Sequence, residues 1–209
     1  MRSPVVDFVI TEHPSAMTRP MRRHYEAIRS QLERLAGVSV RSRLYPDADD
    51  FPGAVAVVLS GSFAPWALHD PAALGRLGAS VGRFDGAVLG ICAGMQLQMM
   101  FAGGTLAERE RPAVGYGTID VLDEGELLGG LGVTATVYEH HSLNVLTAPE
   151  GFAVLARSED CAVEAIASPE RRWWGTQFHP ERFDEQHPAG AQVLRNFFML
   201  AGLGPTSVD

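Results

Sequence analysis

The sequence predicts a doubly wound α/β fold: a mostly parallel sheet with flanking helices, and a small antiparallel strand region added in the second half. Three observations point there. Strand-like and helix-like segments alternate through the first half of the chain. Residues 54–59 (AVAVVL) form a continuous apolar run, the pattern of a parallel strand covered on both faces. Residues 86–101 pass from an apolar run through closely spaced glycines into helix formers, as a strand, a tight turn and a helix would.

Taken in order, residues 5–11 (VVDFVIT) read as the first strand, broken by Glu12-His13-Pro14. Residues 20–36 place Tyr25, Ile28, Leu32 and Leu35 on one stripe of a helix, and Gly37 stops it. Residues 38–44 alternate valine with arginine, as a strand near a sheet edge does. The 54–59 run is the third strand, and the loop 60–66 (SGSFAPW) follows it. Residues 71–84 form a helix weakened by Gly75, Gly78 and Gly82. Residues 87–89 belong to the fourth strand and 95–101 to the helix after it. The second half changes character: 116–122, 134–138, 153–158, 163–167 and 172–178 read as short strands between Gly, Pro and acidic turns. Residues 190–200 make a closing amphipathic helix, with Val193, Leu194, Phe197 and Phe198 apolar. One domain over 1–201 is expected, with a frayed tail at 202–209.

Composition narrows the function classes. A chain of 209 residues with 46% hydrophobic and 20% charged residues is long enough for a full core. A net charge of −8 argues against non-specific binding to nucleic acid or anionic membranes. No apolar run approaches membrane-spanning length, and the start of the chain has no signal-peptide hydrophobic region. The two cysteines, Cys92 and Cys161, make no disulfide framework, so a reducing, cytoplasmic setting is expected.

The chemistry concentrates at Cys92. Gly90-x-Cys92-x-Gly94 between a strand and a helix has the form of a nucleophile elbow, in which a sharp turn with little bulk on either side exposes the nucleophile. The turn would set Cys92 at the amino end of the next helix, where the dipole favours a thiolate. The local pattern equally fits a buried structural thiol. A cysteine nucleophile needs a base and a group to orient that base. His179-Pro180-Glu181 supplies a candidate pair: residues two apart in extended chain point the same way, so Glu181 can hold one imidazole nitrogen of His179. Read alone, this is also a surface turn with a chance His-x-Glu pair. In doubly wound sheets, ligands sit beyond the carboxyl ends of the strands, where both Cys92 and loop 60–66 are expected. His13, His24, His69 and His187 read as surface or capping residues. His140 and His141 fall in an expected loop after 134–138, with no third metal ligand at suitable spacing, so substrate contact or loop packing is expected and no metal. Cys161 follows two acidic residues, which disfavour its thiolate.

Together these residues resemble the class I (triad) glutamine amidotransferase family. Residues 89–96 (LGICAGMQ) resemble its cysteine elbow, and 175–181 (GTQFHPE) its His–Glu signature. Residues 137–143 (VYEHHSL) resemble the Tyr-His-Ser-Leu segment of anthranilate-synthase-type glutaminase subunits, and GMP-synthase-type subunits are similar. The likeness covers nearly the whole chain. It implies hydrolysis of the glutamine side-chain amide: Cys92 as nucleophile, His179 as acid and base, Glu181 orienting it. It implies an oxyanion hole from the backbone N–H groups of Ala93 and Ser62, and contacts to L-glutamine from Gly61, Gln96, Ser142 and Leu143. It implies no cofactor.

Two departures mark a divergent member. The family loop runs Ser-x-Gly-Pro, and here it is Ser60-Gly61-Ser62-Phe63. If that glycine needs positive φ, Ser62 costs about 1 kcal/mol or more, and the loop would be aimed only once a partner binds. The first strand also lacks the Asp-Asn start of anthranilate-type members. No phosphate-binding Gly-x4-Gly-Lys-Ser/Thr loop is present, so the resemblance implies a separate synthase polypeptide that accepts the ammonia. Phe63 and Trp66 are candidates for its docking face or for a lid. The alternatives on the same fold are a stand-alone γ-glutamyl hydrolase and a catalytically silent regulatory subunit.

Overall fold

Strand β1 (Val5–Ile10) lies between β2 (Ser39–Leu44) and β3 (Ala54–Leu59), parallel to both. The structure, a computed structural model, describes residues 3–204; of the expected frayed tail, residues 205–209 lie outside it. β4 (Ala87–Ile91) pairs parallel with β3 and with β9 (Trp173–Thr176). From β9 the same sheet continues antiparallel through β8 (Ala165–Ser168), β7 (Ala153–Arg157), β5 (Leu106–Val121) and β6 (Thr134–Val145). The expected antiparallel region is therefore an extension of the one sheet, whose order is β2-β1-β3-β4-β9-β8-β7-β5-β6.

Alternation along the buried strands sends side chains to two cores. On one face Val6, Phe8, Val58 and Leu89 meet α1 (Arg19–Ala36) and α4 (Ala189–Leu200) through Tyr25, Ile28, Leu32, Val193 and Phe197. On the other, Val9, Val57, Leu59 and Val88 meet α2 (Pro71–Arg83) and α3 (Ala93–Phe101) through Leu77, Val81 and Leu97. Helix α1 starts where the Thr18 side chain accepts the Met21 N–H and ends at Gly37, whose φ of 68° only glycine adopts without strain. Among the described residues no helix is long and apolar enough to cross a membrane.

Asp7 is the one charged side chain in β1 and is fully buried. It faces Arg41 in register across to the edge strand, where Nε and Nη2 donate to its two oxygens at 2.6 and 2.7 Å. Arg43, two residues on and on the same face, comes within 3.4 Å. The arginine alternation that marked β2 as an edge is the other half of this ion pair.

Strands β5 and β6 run longer than the expected 116–122 and 134–138. They form a hairpin in which β5 is largely exposed while β6 alternates exposed and buried residues, and its pairing is offset between Glu108 and Ala113. His140 and His141 accordingly sit in a strand rather than in the expected loop.

Asp7→Asn removes the charge but keeps the shape. Stability should fall by about 1.5–3 kcal/mol, the range for a hydrogen bond to a charged group. Urea denaturation measures this; an unchanged midpoint would show that the pair is not a stabilising link.

Candidate active site

Residue by residue, the β4–α3 junction places Cys92 on a bend. Its backbone has φ 50° and ψ −106°, and Arg172 is the only other non-glycine with positive φ among the described residues. Such a conformation costs about 1–3 kcal/mol and persists only where its surroundings enforce it. Here the Cys92 N–H donates to the Thr176 carbonyl at 2.7 Å, and the Cys92 carbonyl accepts the Gln96 N–H at 3.0 Å. The helix can begin this close to the sheet because Gly94 lies against the Leu59 carbonyl, where any Cβ would overlap it. Cys92 thus caps the amino end of a buried helix at the carboxyl edge of the parallel strands, 4% exposed.

His179 follows β9 and is anchored by its N–H to the Tyr138 carbonyl at 2.8 Å. Its Nδ1 lies 2.7 Å from Glu181 Oε1. An ionised carboxylate only accepts, so Nδ1 carries the proton and Nε2 faces Cys92 and the His140 carbonyl, the latter at 3.4 Å. Burial pushes the imidazole pKa down, but the charges and hydrogen bonds of Glu181 and Cys92 outweigh it and hold the value well above 6.5. Gly61 packs against this pair: a Cβ there would come 2.9 Å from His179 Cε1 and 3.7 Å from Cys92 Cβ.

The loop 60–66 is built around Glu12, which in the sequence reads only as a strand breaker. Glu12 is fully buried, and its carboxylate accepts the N–H groups of Phe63 at 2.8 Å and Ala64 at 3.1 Å. It also accepts the Ser62 hydroxyl at 3.2 Å and the His13 N–H at 2.9 Å. Burial and the Glu12 charge push the Tyr25 phenol, another neighbour of this carboxylate, far up. Ser62 does not take positive φ, so the strain expected from its replacing glycine does not arise. The N–H groups of Phe63 and Ala64 are committed to Glu12, while that of Ser62 is not among those it holds.

A cleft of about 780 Å³ opens over Cys92 and Ala93, walled by Ser62, Trp66, Gln96 and Ser142. Gln96 ties its floor together: its Nε2 donates to the Leu143 carbonyl at 3.2 Å and to Gln177 Oε1 at 3.3 Å, and its Oε1 accepts the Trp66 indole N–H at 3.3 Å. Gln177 donates onward to Cys92 Sγ at 3.6 Å. The cleft therefore brings together Cys92, Ala93, Ser62, Gln96, Ser142 and Leu143. Gly61 lines a smaller crevice behind His179, with Glu181 and His24. Phe63 is 51% exposed at the cleft mouth, whereas Trp66 is half-buried in its wall.

Glu12 carries no site signal in the sequence, since its partners lie far along the chain; Gln177 lies within the 175–181 signature, but its link to Gln96 and Cys92 is visible only in the fold. Two histidines also differ from expectation. His69 is buried and donates Nε2–H to the Thr11 carbonyl at 2.9 Å. His24 borders the crevice by Glu181, and burial holds its pKa below the usual value. His13 caps a short turn at Ser15, and His187 stacks on Tyr116 at 3.7 Å. Cys161 is buried beside Glu164, and desolvation pushes its thiol far up.

The family model for glutamine amidotransferase class-I matches residues 55–201. A glutamine-hydrolyzing GMP synthase subunit of Pyrococcus abyssi is 40% identical over 119 residues, 57% of this chain and 62% of that one. The subunit of the same name from Thermoplasma acidophilum is 30% identical over 166 residues, 78% of this chain and 82% of that one. The match thus spans about three-fifths of the Pyrococcus relative's length. Among solved structures, a Thermoplasma acidophilum protein assigned as a GMP synthase subunit superposes with a TM-score of 0.80 at 24% identity, covering 97% and 96% of the two chains. The glutaminase domain of Trypanosoma brucei CTPS superposes with a TM-score of 0.72 at 14% identity, covering 97% and 95%. At these identities the structural likeness speaks to the fold.

Glu12→Gln should loosen the loop while leaving the sheet intact, because one of the two accepting oxygens becomes a donor facing N–H groups. Amide hydrogen exchange at Phe63 and Ala64 should accelerate about tenfold or more, with β3 and β4 unchanged. Unaltered protection at both amides would show that Glu12 does not order the loop.

Proposed function

The chain belongs to the class-I glutamine amidotransferase family, and we propose that it is a glutaminase unit that releases ammonia from L-glutamine for a separate synthase. One observation carries the reading: a cysteine held in a strained turn at a helix amino end faces an imidazole whose far nitrogen is fixed by a buried carboxylate.

The reaction follows from that arrangement. Cys92 Sγ attacks the carboxamide carbon of glutamine, and the tetrahedral oxyanion takes the N–H groups of Ala93 and Ser62. His179, protonated on Nε2, gives that proton to the departing nitrogen, and ammonia leaves with formation of a γ-glutamyl thioester. The neutral imidazole then takes a proton from water, which attacks the thioester and returns the sulfur. Glu181 holds the ring throughout and balances its charge. Gln96, Ser142 and Leu143 bind the amino-acid end of the substrate, and Gly61 allows the ring to approach. The Leu143 carbonyl is already shared by Gln96 and His141, which fixes its direction.

The names of the relatives point to a GMP-synthase-type acceptor on a second polypeptide, and the exposed Phe63 at the cleft mouth is suited to its docking face. Two free, buried thiols suit a reducing compartment such as the cytoplasm. The alternative of a catalytically silent protein drew on the altered Ser62 loop, and Ser62 does not take the positive φ that would strain it. A stand-alone γ-glutamyl hydrolase would turn over a γ-glutamyl anilide with no response to a synthase.

Cys92→Ala should abolish glutamine hydrolysis while leaving ammonia-dependent synthesis by the partner unchanged. Steady-state assay of the reconstituted pair with glutamine and with ammonium measures both. Retained glutamine use would remove Cys92 from the chemistry, and loss of both activities would make it structural.

A further inference from the structure

Behind the cleft, three side chains from two elements converge. Glu139 and His141 lie two apart on one face of β6, and Glu164 directly precedes β8. One ligand atom from each lies within 4.8 Å of the others, and His141 Nε2 is 3.1 Å from Glu139 Oε2. All three residues are more than nine-tenths buried, at 7, 5 and 1% exposure.

Their hydrogen bonding leaves unmatched acceptors at the centre. The Leu143 carbonyl, 3.0 Å from His141 Nδ1, can only accept, so Nδ1 carries the ring proton and Nε2 is left with its lone pair inward. Glu164 Oε1 accepts the Ser158 hydroxyl at 2.7 Å, which turns Oε2 inward. Glu139 Oε2, His141 Nε2 and Glu164 Oε2 are each buried without a hydrogen-bond partner among the described residues. Three acceptors that face one another with no donor between them call for a cation. A single proton on Nε2 would serve Glu139 and leave Glu164 unmatched.

We propose that Glu139, His141 and Glu164 form a divalent-metal site of the zinc class that braces the strand behind the catalytic cleft. One imidazole nitrogen and two carboxylates are a zinc donor set, and zinc at about 2.0–2.2 Å from each ligand requires donors roughly 3.5 Å apart; the His141–Glu139 pair stands at 3.1 Å and all three donors lie within 4.8 Å of one another. The outer contacts match as well: an imidazole whose other N–H is held by a carbonyl, and a carboxylate held by a hydroxyl, are what orient metal ligands. Magnesium and calcium prefer six or more oxygens, whereas this set offers an imidazole nitrogen and two carboxylates. The site is tied to the cleft. His140, between two of the ligands, turns its carbonyl to Cys92 and His179, and the Glu164 carbonyl accepts the Gln177 N–H at 2.7 Å. The metal would hold both in place without touching substrate.

The rival occupant is a pair of protons, one on His141 and one on Glu164, whose carboxyl burial and the Glu139 charge push up to about 7. Zinc titration of the chelator-treated full chain separates the two. Cys92→Ala serves as the background, so that the active-site thiol cannot take up metal. About one equivalent of zinc should remain bound after gel filtration and raise the Tm, and Glu164→Gln should cut it to below about a tenth. Co²⁺ in the same background should give the visible absorption of a tetrahedral site, a readout that stands even if Glu164→Gln fails to fold. No retained zinc and no cobalt spectrum in the folded Cys92→Ala protein would overturn the proposal, as would uptake that Glu164→Gln leaves unchanged.

Discussion

Cys92 can stand where it does only because the protein around it forbids the turn to relax. The positive φ is held by a bond on each side of the residue, to Thr176 in β9 and from Gln96 in α3, and by glycine contacts that let α3 start flush against β3. Its cost of about 1–3 kcal/mol is small beside the burial of β4 and α3, both almost wholly enclosed. The sheet order matters for the same reason. β9 sits beside β4, so the strand that fixes the Cys92 N–H is also the one that leads into His179 and Glu181. Cys92 and His179 are therefore set by adjacent strands of one rigid sheet, which is how a group is held to the tolerance catalysis needs.

Around that pair the polar groups form a continuous framework. Glu12 collects the loop above Cys92, Gln96 joins Trp66 to Leu143 and Gln177, and Gln177 returns to the sulfur. Each member is buried or half-buried, where a lost partner is expensive. The Ser62 loop is compatible with this framework because its shape is dictated by a carboxylate that accepts N–H groups, not by a left-handed residue. The ion pair at His179 adds a pH dependence of definite sign. Its folded-state pKa lies above the ordinary 6.5, so the stability it contributes is complete below that value and is lost as pH rises through the folded one.

Much of this was legible in the sequence where the signal is local. The α1 stripe with its Gly37 stop, the apolar β3 run and the Gly-x-Cys-x-Gly turn each encode their own geometry. His179 and Glu181 were legible because their spacing alone brings them together. What escaped depends on partners distant in the chain. Glu12 reads as a polar residue ending a strand until loop 60–66 folds over it. Glu164 reads as one residue of a short strand, 163–167, until it meets His141. The outer half of the β5–β6 hairpin carries ERER at 108–111, a solvated pattern that sequence cannot tell from a loop.

The central claim is that His179 is an imidazolium held between the Glu181 carboxylate and the Cys92 sulfur. Titration of the His179 ring nitrogens by ¹⁵N NMR, in the wild-type chain and in Cys92→Ser, tests it most directly. The ring should keep both protons at neutral pH and lose one only well above 6.5, and Cys92→Ser should move that transition down. A wild-type ring that titrates at or below 6.5, or one indifferent to the serine substitution, would contradict the pairing on which the site is built.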